Sequence, residues 1–179
     1  MTLSNIALIL GALAIAKGLS LYMAPDAVRR FALSFPRNLI GARVLATVDV
    51  IWVAGLILHT HLGRFEPYKP VVYILAPVAL IMIILFMDEL LAPRAAGGFL
   101  LLIANPLLKA AMWHDSPMRI VVTVLVYIWI VYAMIIILSP HRFRLMAAYW
   151  VENDERLRFG GGMSLAAGLA LVTLGVTVY

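Results

Sequence analysis

The sequence predicts an all-α, polytopic membrane protein, and three observations carry that prediction. Hydrophobic residues make up 64% of the 179-residue chain and charged residues 13%, against about 45–50% and about 25% in a soluble domain. Mean hydropathy is +1.01. The apolar residues gather into runs of about 20, the length at which a helix crosses a hydrocarbon core of about 30 Å. No polar stretch is long enough for a soluble domain, so residues 1–179 read as one integral membrane domain.

Six runs follow in order. Residues 3–23, LSNIALILGALAIAKGLSLYM, lack a basic leader and a small-residue cleavage site, and read as a retained helix. Residues 38–59, 71–91 and 118–138 are long enough to span, and residues 160–179 form the last run. Residues 97–113, GGFLLLIANPLLKAAMW, are the weakest, near the lower limit of about 17 residues, with Asn105 ahead of Pro106. A helix broken there is tolerated only where neighbours satisfy the freed carbonyls. Six crossings is the expectation, and five is the alternative if this segment is re-entrant.

Between the runs, residues 25–37 and 140–157 predict interfacial amphipathic helices. Pro25 and Pro140 suit a first helical turn. Phe143, Met146, Ala147 and Trp150 recur at helical spacing, with Arg142, Arg144 and Glu152 elsewhere on the wheel. Such helices lie in the membrane plane and point Arg29, Arg30, Arg37, Arg142 and Arg144 at anionic lipid headgroups. The two surroundings also look alike: apolar helix, Pro, basic and aromatic segment, then an Arg beside a Gly and another apolar helix. A parallel internal repeat of 3–59 and 118–179 is the corresponding expectation.

With six crossings, Arg29, Arg30, Arg37, Arg94, Arg142, Arg144, Arg156 and Arg158 fall on one side, and Arg64, Lys69 and Arg119 on the other. The excess of basic loops places the first set in the cytoplasm of a bacterial inner membrane, with both termini outside. The net charge of +5 is therefore a membrane-topology signal and not a nucleic-acid footprint. The chain has no cysteine, which excludes disulfides, iron–sulfur clusters and thiol catalysis.

The residues that invite chemistry are charges at membrane depth, where each costs about 2.5–3.5 kcal/mol on insertion scales. Asp49 lies mid-way along its run, too short a side chain to snorkel, so it either carries its proton or is paired inside the bundle. Lys17, Arg43, Asp88 and Glu89 share its half of the bilayer and complete a candidate network, with Lys17 the expected partner of Asp49 and Arg43 facing Asp88 or Glu89. Asn105 and Lys109, beside Pro106, are the residues able to continue a proton relay outward. His59, His61, His114 and His141 sit near run ends, and HTH is not a helical ligand spacing, so neither a metal nor another cofactor is expected. The small residues of GGFLLLIANP and GGGMSLAAG read as close-packing faces for assembly.

Residues 10–58, with Pro25, Arg29, Arg30, Phe31, Ile40 and Gly41, resemble the YjeT-like family of small bacterial inner-membrane proteins, which has no assigned activity. Asp49 departs from that pattern. The resemblance implies helical topology and no chemistry. The functional expectation is a non-enzymatic accessory or scaffold subunit of a larger membrane complex, with lipids and other membrane subunits as partners. The alternative is a small transporter or proton-conducting module built on Asp49, Lys17 and Arg43.

Overall fold

The computed structural model describes residues 2–87 and 91–179. Among them every regular element is helical: α1 (Leu3–Met23), α2 (Pro25–Ser34), α3 (Leu39–His59), α4 (Val71–Phe86), α5 (Leu91–Met112), α6 (Arg119–Leu138), α7 (Pro140–Glu152) and α8 (Asp154–Thr177). Short 3-10 turns cover Phe35–Arg37 and Gly63–Tyr68. Helices α1, α3, α5, α6 and α8 are long and apolar enough to cross a membrane. The chain is an all-α, multi-pass membrane protein.

Local chemistry sets the boundaries. Thr2, Asn38 and Asn153 cap α1, α3 and α8, their side-chain oxygens accepting from the amides of Asn5, Gly41 and Glu155. Pro25 and Pro140 open α2 and α7, where the missing N–H has no intrahelical partner to lose. Three boundaries differ from the sequence reading. The Asn153 cap ends α7 at Glu152, so residues 154–159 belong to the last spanning helix and not to the interfacial one. The weak fourth segment is instead an unbroken helix of 22 residues that contains Pro106. Residues 92–96, which separate the third and fourth runs in the sequence reading, belong to the start of this helix, with Pro93 in its first turn as described, where proline costs little. The third run, read over 71–91 as long enough to span, is instead the short one: α4 ends at Phe86 after 16 residues, about 24 Å at 1.5 Å per residue.

Helix α1 packs antiparallel on α8 through small residues. Ser4, Gly11 and Gly18 face Gly161, Gly168 and Gly175, and each set repeats every seven residues. Ser4 Oγ donates to the carbonyl of Gly175, and Ser164 Oγ to that of Ala14. A Cβ added at Gly168 would lie 2.8 Å from the Gly11 carbonyl oxygen. The two backbones thus meet where no side chain intervenes, as small residues allow in lipid. These glycines are consumed inside the chain, which corrects the reading of GGGMSLAAG as an assembly face.

The other half is arranged around α5. Its N-terminal residues Leu91, Ala92 and Ala95 pack with Ala42 and Ala46 at the start of α3, so α3 and α5 run parallel. Ile83 and Met87 join that cluster while Val72 and Ile57 line one groove, so α4 returns antiparallel along α3. Helix α6 lies antiparallel on α5, with Gly97 against Ala133 and Ile137. Leu3, Ile6 and Leu10 meet Ala104, Leu107, Ala111, Val122, Val126 and Leu171 in a second core at the opposite end. There the Tyr179 hydroxyl donates to the Met118 carbonyl. Helices α2 and α7 come together at the basic end, with Phe35 edge-on to Phe143 at 6.4 Å. Elsewhere large apolar side chains such as Val124, Ile128 and Val131 of α6 are exposed, as lipid-facing positions require.

Candidate functional site

Asp49 stands on the stripe of α3 begun by Ala42 and Ala46, both buried toward α5. Its carboxylate faces Gly98 of α5, where an added Cβ would lie 3.0 Å from Oδ2. The missing side chain of Gly98 is what makes room for it. Trp52 and Phe99 close the layer above with an edge-on contact at 5.9 Å. The Oδ1 atom is buried and accepts no hydrogen bond among the described residues. Leaving a buried polar atom unmatched costs roughly 1–3 kcal/mol, and more if it is charged. Beside Asp49 an apolar groove of about 240 Å³ opens between α3 and α4, lined by Val53, Ile57, Val72, Leu75 and Ala79.

Lys17 is not the partner that sequence depth suggested. The glycine face of α1 turns toward α8, and Lys17 lines a cleft with Trp150 of α7 and Arg156 of α8. Depth along a helix is legible from sequence, but the side of the bundle on which a residue emerges is not. The expected pairing of Arg43 with Asp88 or Glu89 lies outside the described residues. The outward relay is not assembled either. Asn105, Pro106 and Lys109 are exposed on α5, while Ala104, Leu107 and Ala111 face the core.

No protein-family model, curated protein or solved structure matches this chain. The site therefore stands on its own geometry.

At the basic end, Arg29 is a fastener. Its Nη2 meets Asp154 Oδ1 at 2.6 Å and its Nε donates to the Val151 carbonyl at 2.7 Å, joining α2 to the α7–α8 corner. Asp154 does not stand out in the sequence because nothing local links it to Arg29. Arg30, Arg37, Arg142 and Arg144 are exposed at the same end. Arg37, His141 and Arg144 line one further cavity of about 400 Å³ between the first 3-10 turn and α7. At the opposite end, Glu66 accepts from Lys69 Nζ at 2.6 Å and from the Leu62 amide at 3.0 Å. The Lys69 hydrogen bond, ahead of the Leu62 amide, holds its carboxyl below the usual carboxylate range. That pair braces the loop between α3 and α4.

Proposed function

We propose that this protein is a non-enzymatic accessory subunit that docks a larger membrane assembly through its α3–α4 flank. One observation carries the reading: α4 buries none of its residues, and the groove it forms with α3 runs beside the half-buried Asp49, whose buried Oδ1 has no hydrogen-bond partner among the described residues. A helix packed on one side only leaves an apolar face open to a second membrane protein as well as to lipid. A donor from that partner would satisfy Asp49 at membrane depth. The basic end, with Arg30, Arg37, Arg142 and Arg144 exposed, is placed on the cytoplasmic side of a bacterial inner membrane, against anionic lipid, with both termini outside. The parallel run of α3 and α5 supports six crossings, because α4 must carry the chain back between them. In mild detergent the protein is expected to co-purify with larger subunits, and a photo-crosslinker at Ile74 or Tyr73 of α4 should capture one of them. Recovery as a sharply defined monomer, with no crosslink from α4, overturns the reading.

The unmatched Oδ1 of Asp49 also favours a second reading, a proton- or ion-conducting module. On that reading Asp49→Asn abolishes pH-driven flux in liposomes and leaves the thermal melt unchanged. An Asp49→Asn protein that loses co-purification or stability, with no flux in the parent to lose, rejects it.

A further inference from the structure

We propose that the cleft bounded by α1, α7 and α8 binds one anionic phospholipid, its phosphate held by Lys17 and Arg156 and an acyl chain lying against Leu21 and Met163. The cleft measures about 430 Å³, within the range of roughly 300–1,000 Å³ usual for small-molecule sites. Its two charged residues are both cations, and no carboxylate lines it. Arg156 is held in place: its guanidinium carbon sits 3.8 Å over the centre of the Tyr149 ring, and Nη1 donates to the Tyr149 carbonyl at 3.3 Å. Neither contact neutralises its charge. Among the described residues neither Lys17 nor Arg156 forms an ion pair; Glu152 and Asp154 line the neighbouring cavity that Arg156 also borders, and Asp154 is paired with Arg29.

Depth supplies the rest of the fit. Lys17 lies six residues before Met23, the end of α1, so its Cα is about 9 Å inside that end at 1.5 Å per residue. A lysine stem from that depth lifts its ammonium to headgroup level. Arg156, near the start of α8, is already there. The rest of the walls are Leu21, Leu157, Met163 and the Trp150 ring, which sits 3.5 Å from where a Gly160 Cβ would be. Two cations and apolar walls in one cleft match a phosphate with a chain attached, and a free anion would leave the walls uncovered. The site shares no residue with the Asp49 groove, so it holds whichever reading of that groove is right.

The test is native mass spectrometry of the full chain released from detergent and titrated with phosphatidylglycerol or with phosphatidylcholine of the same chains. The unaltered protein should retain one phosphatidylglycerol and bind phosphatidylcholine about tenfold more weakly, because the choline cation offsets the phosphate charge beside Lys17 and Arg156. Lys17→Gln or Arg156→Gln should remove that preference. Arg158→Gln, at the same end but outside the cleft, should keep it. Equal binding of the two lipids by the unaltered protein overturns the proposal, and that arm needs no variant to fold. So does an equal loss in Arg158→Gln, which would mean diffuse surface charge. Glycerol phosphate displacing the lipid at equal concentration also overturns it, because the headgroup alone would then suffice.

Discussion

Arg29 shows how an exposed-looking arginine becomes structural. The sequence places it in a basic surface segment, where lipid contact is the natural expectation. In the fold its guanidinium is taken up by Asp154 and the Val151 carbonyl. Asp154 is 75% exposed, so the ion pair itself contributes little, about 0–1 kcal/mol. The bond to the half-buried carbonyl adds about 1 kcal/mol. Arg29→Ala is therefore expected to destabilise by roughly 1–2 kcal/mol and Asp154→Asn by less than about 1 kcal/mol. Thermal unfolding in one detergent checks the order, and an equal loss from both would place the whole effect in the ion pair. Asp49 is the converse case. Its oddness was plain from the sequence, and its surroundings were not, because Gly98 and Phe99 reach Asp49 and Trp52 only through the α3–α5 packing.

At the scale of elements, the seven-residue repeat of glycines on α8 joins sequence to packing. Gly168 meets Ile15 Cγ1 and the Gly11 carbonyl where an added Cβ would stand at 2.7 Å and 2.8 Å. Backbone cannot yield as a side chain can, so Gly168→Ala must push the helices apart. The expected cost is about 1–3 kcal/mol, the range for overpacking. Gly55→Ala is the control, since nothing lies within 4 Å of its would-be Cβ, and it should be neutral or slightly stabilising. Melting temperatures of the two proteins decide it, and equal shifts would reject the close α1–α8 contact. Helix α5 teaches a different lesson. Pro106 made its run look broken, yet a proline supported by neighbours leaves the helix continuous.

At the scale of the whole molecule, the two halves meet the membrane in one consistent way. Both short helices, α2 and α7, lie at one end, and the α3–α4 loop and the α5–α6 turn lie at the other. The absence of cysteine makes this directly measurable. Single cysteines at Arg30 and Arg144 should react from one side of a sealed vesicle, and those at Phe65 and Ser116 from the other. If Phe65 and Arg30 label from the same side, the topology of six crossings fails.

The sequence by itself determined the solvent, the helical class, and most helix positions. Hydrophobic run length and capping chemistry are local quantities, so they can be read along one dimension. It also marked Asp49 and the charges that share its depth. Only the tertiary structure decided which of those charges meet. Lys17 turns to α7 and α8, Asp49 turns to Gly98, and Arg29 closes on Asp154. Those choices follow from how each helix is rotated about its own axis, and that rotation is set by glycine and alanine faces packing across elements far apart in the chain.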